Sequence, residues 1–271
     1  VMLPVSVIVP VRNAEHMVDE CLASIFRAEP REVIVVDGNS TDRTLEIVSK
    51  YPAKILSDRG RGVSAARMMG IEAATSDAVI LIDVDIVLLD GALQNLYDEF
   101  QQGQYAAMQA DVIGISGPGY WGRAFTTHWH HSWARSKNWP GVMATIFKRQ
   151  VLLEHRFNER FRSGEDIELR WRLQKAGLKL GISKKTFVQH RFDDTFEFAK
   201  DQFIADGKGL GRMVSKYGWR AAKLLLLPAA GCVRGVFLSL IHLEPGWIPY
   251  YLVYLYYNYA AMPSGLRERL K

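Results

Sequence analysis

Cysteine is scarce in this 271-residue chain, and its two copies, Cys21 and Cys232, form no metal or redox spacing. Cys21 falls on the apolar face of a predicted helix, so the pair reads as buried free thiols in a reducing cytoplasm. Glycine patterns that cradle phosphates are missing too. No G-x-G-x-x-G follows the first strand. Pro10-Val-Arg-Asn13 fills that turn, and a proline cannot give the backbone donor that a pyrophosphate cradle needs, which excludes a dinucleotide fold. A Walker G-x-x-x-x-G-K-S/T is also absent. No cleavable signal peptide is expected, because the first apolar run is short and reads as a strand. The run His128-Trp-His-His131 has no cysteine support, and adjacent histidines cannot all converge on one ion, so a zinc reading is set aside. The net charge of +5 and pI near 9.1 would suit nucleic acid, anionic lipid or a phosphorylated substrate. The basic residues border an apolar stretch and form no aromatic-lined groove, which disfavours nucleic acid.

What is present starts from Val79-Ile80-Leu81-Ile82-Asp83-Val84-Asp85, an aliphatic run ending in two carboxylates. Such a run suits a strand buried on both faces of a parallel sheet, and carboxylates at its end emerge where open α/β sheets bind ligands. Upstream, Val5-Ser-Val-Ile-Val9 reads as a strand closed by Pro10. Met17, Val18, Cys21, Leu22, Ile25 and Phe26 follow at the spacing of one buried helical stripe. Val33 to Val36 ends in Asp37-Gly-Asn-Ser-Thr-Asp42, where Ser40 or Thr41 is expected to cap the next helix. A short strand near Lys54 leads through Ser57 to Gly62 into a helix that carries Arg67. This strand-helix alternation predicts an α/β fold with a doubly wound, mostly parallel sheet.

Five motifs in order resemble the family-two glycosyltransferases of the nucleotide-diphospho-sugar transferase (GT-A) fold. They are Ser6 to Asn13, Glu32 to Asp42, Gly62-Val-Ser-Ala-Ala-Arg67, Leu81-Ile-Asp-Val-Asp85 and Gly164-Glu-Asp-Ile-Glu-Leu169, and the likeness continues to His190. It covers roughly residues 4–192. The resemblance implies a nucleotide-diphospho-sugar donor, most often a UDP-sugar, and inversion at the anomeric carbon. It implies nucleotide-sugar binding by Pro10, Arg12, Asn13, Asp37, Arg67 and Asp83, with Asp37 on the base, Asp83 on ribose and base, and Arg67 near the phosphates. A strand-end cap at Asp83 and an exposed helix arginine at Arg67 are the plainer alternatives.

Sugar transfer requires the leaving diphosphate to be neutralised, and a divalent cation held by carboxylates does so without a proton donor. Asp85 is the first candidate ligand for Mn²⁺ or Mg²⁺. In some members of the resembled family a histidine at the position of His190 completes the metal shell; a structural strand-end histidine is the alternative. Gly164 can start a helix whose first turn holds Glu165 and Asp166, where the dipole keeps a base ionised. Direct displacement needs one base for the acceptor hydroxyl; by resemblance it is Asp166, supported by Glu165. Trp129, Trp133 and Trp139 offer faces for stacking an acceptor sugar or for packing under a long loop. The Q-x-x-R-W run of processive polysaccharide synthases is echoed only by Arg170-Trp171, so one transfer per encounter is expected.

Residues 1–192 are therefore expected to form the catalytic domain, with a nucleotide-sugar half (1–112) and an acceptor and base half (113–192). Residues 193–271 are expected to form an aromatic-rich helical appendage. Arg212, Lys216, Arg220 and Lys223 would share one basic helix face, ahead of an apolar stretch from Leu224 to Leu243 and a tyrosine-dense segment from Trp247 to Met262. Tyrosine at this density favours the interfacial zone, which places the appendage on the cytoplasmic face of a membrane. A helical pair packed on the catalytic domain, or across a homo-oligomer, is the alternative. The expected acceptor is a glycolipid, a polyprenyl-linked molecule or a polysaccharide. The rival functions are a sugar-phosphate nucleotidyltransferase and a non-catalytic sugar-nucleotide or lipid binder.

Overall fold

Alternation of side chains along β1 (Leu3–Val11) divides the structure into its layers. In this computed structural model, which describes residues 2–132 and 141–268 without the side chains of 129–132, Val5, Val7 and Val9 face one core and Ile8 faces another. That is the period-two geometry of a strand buried on both sides. β1 lies between β2 (Pro30–Asp37) and β4 (Ala78–Leu81), and β3 (Lys54–Ser57) pairs with β2; all three pairings are parallel. β5 (Ile86–Leu88), β6 (Ala107–Ser116), β7 (Thr145–Lys148) and β8 (Leu180–Phe192) complete an eight-stranded sheet of order β3-β2-β1-β4-β7-β6-β8-β5. Antiparallel pairing begins where β7 meets β4, so the parallel half is the four strands that come first in the chain.

Helices α1 (Val18–Arg27), α2 (Thr44–Val48) and α3 (Val63–Ala73) join the parallel strands. The α1 stripe buries Val18, Cys21, Leu22 and Ile25. On α3, a Cβ at Gly70 would stand 2.4 Å from Ile8 Cγ2, so glycine is what lets the helix reach the sheet. Ser40 and Thr41 do not cap α2. Their groups bond to Asn13, and Asp42 instead accepts from Thr44 N at 3.0 Å; a carboxylate is the stronger acceptor for the first-turn donors. The remaining helices are α4 (Ala92–Gln102), α5 (Tyr120–Ser132), α6 (Arg149–His155), α7 (Glu165–Lys175), α8 (Phe196–Tyr217), α9 (Leu227–Ile241) and α10 (Ile248–Arg267).

The chain divides into two compact units. One comprises residues 1–114, 134–159 and 169–191, and the other comprises 115–133, 160–168 and 192–271. In the second unit α8 and α10 meet backbone to backbone through glycines: a Cβ would fall 2.2 Å from Asn258 O at Gly207, 2.3 Å from Met262 O at Gly211, and 2.2 Å from Lys208 O at Gly265. Phe203, Tyr250 and Tyr251 form the core beside this contact. The expected continuous basic face is not formed. Gly218, at φ +60°, ends α8 and starts a 3₁₀ segment, Gly218–Leu226. Arg212 is buried on Glu268 and Lys216 is bonded to Glu168, leaving Arg220 and Lys223 exposed.

α9 has its polarity reversed. Pro228, Cys232, Gly235 and Ser239, at helical spacing, are buried, while Val233, Phe237, Leu240 and Ile241 face outward. Gly235 lies against Tyr251, whose ring would be 2.0 Å from a Cβ there. The run Phe196–Ile241 is long and apolar enough to cross a membrane by length and composition alone.

Candidate active site

The two carboxylates at the end of β4 face different partners. Ile86 N donates to Asp83 O at 3.0 Å, which makes Asp83-Val84-Asp85 a tight turn between β4 and β5. Asp83 is on the α3 side of this turn and accepts from Arg67 Nη2 at 2.7 Å. Arg67 is 3% exposed, which removes the exposed-arginine alternative, and its guanidinium lies 5.7 Å from the Phe157 ring. Burial of an arginine at this depth requires a paired carboxylate. Cys21 Sγ closes the turn from below, donating to Asp83 O at 3.8 Å. Burial, then the charges of Asp85 and Asp83, push that thiol up, so it remains protonated and unreactive.

Asp85 is set by the register of β5 against β8. Ile86 is opposite His190, and Arg191 N donates to Asp85 O at 2.9 Å. His190 Nε2 consequently lies 3.0 Å from Asp85 Oδ2. The other oxygen, Asp85 Oδ1, is buried with no hydrogen-bond partner among the described residues. A carboxylate oxygen left without a donor in such a place is costly unless something else satisfies it. No cluster of three or more metal-ligating side chains occurs among the described residues. The donor set here is one carboxylate and one imidazole. A hard divalent cation such as Mn²⁺ or Mg²⁺ would accept such a set, which would leave its other positions open to further oxygen ligands.

Both carboxylates line an open cleft of about 300 Å³ at the carboxyl ends of the parallel strands, with Pro10, Arg12 and Arg67 on its walls. Asp37 itself is 4% exposed, and its carboxylate accepts from Asn39 N and Ser40 N at 3.1 and 3.2 Å. It shapes the turn that presents Gly38 to the cleft. Asn13, at φ +49°, ties this turn to β1 by accepting from Thr41 N at 2.9 Å. Asp58 is the contributor that motif reading passed over. It is 1% exposed and accepts from Gly60 N and Gly62 N at 2.7 and 2.9 Å, folding the loop that forms another wall of the cleft. Its signal was legible as an aspartate directly after a strand and before Gly60 and Gly62, whose φ values are +76° and +104°.

Glu165 and Asp166 occupy the first turn of α7 in the second unit, with Glu165 buried and Asp166 half-buried. Gly164, at φ +75°, precedes them, where a side chain would be strained. Glu168, fully buried, accepts from Lys216 Nζ and Tyr217 Oη at 2.5 and 2.8 Å, so its charge is neutralised in place. Trp133 and Trp139 lie outside the described residues, as does the side chain of Trp129.

The family model for glycosyl transferase family 2 matches residues 6–156. The chain belongs to that family. Among curated relatives, the uncharacterized glycosyltransferase EpsJ of Bacillus subtilis is 31% identical over 121 residues, 42% of this chain and 34% of that protein. The undecaprenyl-phosphate 4-deoxy-4-formamido-L-arabinose transferase of Pectobacterium carotovorum is 33% identical over 123 residues, 41% of this chain and 36% of that one. The matched stretch thus spans about a third of these family-2 relatives. Among solved structures, the mannosyltransferase PcManGT from Pyrobaculum calidifontis, in complex with GDP-Man and Mn²⁺, superposes with a TM-score of 0.68 at 18% identity. That match covers 97% of this chain and 88% of the other. TarS 1-349 of S. aureus, in complex with UDP-GlcNAc, gives 0.62 at 17% identity, covering 97% and 89%. These likenesses establish the GT-A fold of this family-2 chain.

Proposed function

We propose that this chain moves a sugar from a nucleotide-diphospho-sugar, a UDP-sugar in the first instance, to a hydroxyl or phosphate of a glycolipid or polyprenyl-linked acceptor, with inversion. The observation that carries the reading is the cleft where Asp83 and Asp85 stand at the strand ends beside buried Arg67, in a family-2 chain. Asp37, through the turn it folds, and Asp83 serve the base and ribose. Pro10, Arg12 and Asn13 form the wall beside them. Arg67 fixes Asp83 and adds positive potential near the donor phosphates, worth more in a partly dry cleft than in water. Asp85 and His190 would hold a divalent cation, which neutralises charge on the departing diphosphate.

Asp166 takes the acceptor proton, with Glu165 supporting it in a helix turn whose dipole favours the ionised form. Donor binding is assigned to residues 1–112 and acceptor and base functions to 113–192. Residues 193–271 serve as the membrane-associating part. The outward row Val233, Phe237, Leu240 and Ile241, with exposed Arg220, Lys223 and Arg234 nearby in sequence, suits an anionic cytoplasmic leaflet.

Calorimetry with UDP-, GDP- and TDP-sugars in the presence of Mn²⁺ or Mg²⁺ identifies the donor, and Asp166→Asn then tests the enzyme. Transfer should fall at least 100-fold while donor affinity stays within about twofold. Full transfer by Asp166→Asn would remove the base assignment, and a failure of every nucleotide sugar to bind would remove the function.

A further inference from the structure

The residues on either side of the Glu165-Asp166 pair are fastened to one face of α8. Before the pair, Ser163 Oγ donates to Ala205 O at 2.8 Å and accepts from Arg212 Nη1 at 2.6 Å. Gly164 lies flat on the same helix: a Cβ there would stand 2.9 Å from Gly209 Cα, and one at Gly209 would stand 3.1 Å from Gly164 Cα. After the pair, buried Glu168 accepts from Lys216 Nζ and Tyr217 Oη at 2.5 and 2.8 Å. Lys216 Nζ also lies 5.6 Å from the ring of Phe161, which is fully buried. Ala205, Gly209, Arg212 and Lys216 follow one another by steps of four, three and four, so they form a single helical stripe.

The stripe is backed by α10 and its C-terminal end. Glu268 grips the Arg212 guanidinium with both carboxylate oxygens, accepting from Nε and Nη2 at 2.8 Å each, and its carbonyl accepts from Ser215 Oγ. The third nitrogen, Nη1, is thereby aimed at Ser163. The close backbone contacts at Gly211 and Gly265 keep α8 from sliding on α10. Arg212 is 6% exposed and Glu168 0%. Taking such charges out of water is costly, and apolar side chains of similar volume would hold the helices together at least as firmly. What the forked guanidinium adds is direction, because its nitrogens fix angle as well as distance. Nothing in the proposed function uses Ser163, Arg212, Lys216 or Glu268.

We propose that Arg212 is a positioning residue for Asp166, with Lys216 as the second anchor and Glu268 as the brace that aims the guanidinium. The proposal rests on the assignment of Asp166 as base. A base must stand within about 2.6–3.2 Å of the acceptor oxygen to take its proton, and a misplacement of about 1 Å costs on the order of 100-fold in rate. Asp166 lies between the anchors, three residues after Ser163 and two before Glu168, so its backbone shifts only when one of them lets go. Glu168 N closes the first turn of α7 on Gly164 O at 3.0 Å, which makes the anchored stretch one rigid turn. Through this clamp α8 and the end of α10 serve the transfer step itself, in addition to their part in membrane association.

The test reads release of the nucleoside diphosphate by the full chain, from the donor chosen by calorimetry, with octyl glucoside, farnesyl phosphate and water as acceptors. Ser163→Ala removes the hydroxyl that Arg212 Nη1 holds and leaves the Arg212–Glu268 pair in place. It should lower kcat about tenfold with donor KM within about twofold. In an Asp166→Asn background the same change should move kcat by less than about twofold, because a residue that acts through Asp166 then has nothing left to act on. Glu268→Gln, which loosens the guanidinium from the half-buried end of the chain's last helix, should repeat both results more weakly, and it carries the test if Ser163→Ala does not fold. Equal losses in the two backgrounds, or no loss from either variant, overturn the positioning role and leave the base assignment intact. Full turnover by Asp166→Asn alone refutes that assignment, and no release with any acceptor refutes the glycosyltransferase reading; the positioning role falls with either.

Discussion

Alanine in place of Gly207 is a sharp test of the second unit, because local and tertiary effects carry opposite signs. Gly207 is inside α8, where replacing glycine by alanine ordinarily stabilises a helix by about 1 kcal/mol. The added methyl, however, would stand 2.2 Å from Asn258 O, on the backbone of α10. A carbon-oxygen contact needs about 3.3 Å, so the helices must part by about 1 Å. Overpacking of this kind costs about 1–3 kcal/mol, and neither backbone has a rotamer to give way. The net expectation is a loss of about 1–2 kcal/mol, or a fall in Tm of about 3–6 °C in a protein of this size. Gly265→Ala, with its methyl 2.2 Å from Lys208 O, should behave alike. Gly231→Ala is the control: the nearest atom is the hydroxyl tip of Tyr254 at 3.2 Å, which can move. It should raise Tm by about 2 °C. Thermal unfolding followed in the near-ultraviolet tyrosine bands reads all three. A rise in Tm for Gly207→Ala equal to that for Gly231→Ala would refute the backbone-contact reasoning.

Three further outcomes are expected. Asp85→Asn and His190→Ala should each weaken Mn²⁺-dependent nucleotide binding about tenfold or more while metal-free binding is unchanged, as read by calorimetry with and without chelator; equal loss in both conditions would argue for a purely structural pair. Hydrogen bonds from Arg212 hold the Glu268 carboxyl below its ordinary value, outweighing its partial burial. A depressed carboxyl contributes stability that is present above its unfolded pKa and lost as pH falls through the folded one, so Glu268→Gln should flatten the decline of Tm between about pH 5 and pH 3. Phe237→Glu, on the outward face of α9, should reduce flotation with phosphatidylglycerol vesicles severalfold without lowering Tm; unchanged flotation would remove α9 from the membrane surface.

Much of the donor side was legible because its signals are local. A β-branched run, the turn residues after it and a three-and-four helical stripe each lie within a dozen residues, and the family motifs sit on those same segments. The second unit was harder to read for a physical reason. Its order depends on close approaches between residues far apart in sequence, such as Gly207 with Asn258 and Gly164 with Gly209, and glycine leaves no periodic hydrophobic trace. Arg212 and Lys216 misled in the same way. At helical spacing they read as a solvated basic face, but Glu268 and Glu168, 56 and 48 residues away, turn them into internal ties.

The Asp83-Val84-Asp85 turn shows why two carboxylates one residue apart can do different work. In a strand, residues i and i+2 would point the same way, but the chain bends here: Ile86 N closes onto Asp83 O, and β5 leaves to pair with β8. Asp83 is thereby tied to Arg67, 16 residues upstream, and Asp85 to His190, 105 residues downstream. An arginine has no ionisable proton to lose near neutral pH, so the Asp83 pair is a fixed ionic brace. If the pair holds a cation as proposed, the imidazole would give up its hydrogen bond to Asp85 in the cation's favour, so this second pair would be exchangeable. Under the proposed function, a brace and an exchangeable pair set on one turn would let the cleft keep its shape while its charge changes with each donor bound and each diphosphate released.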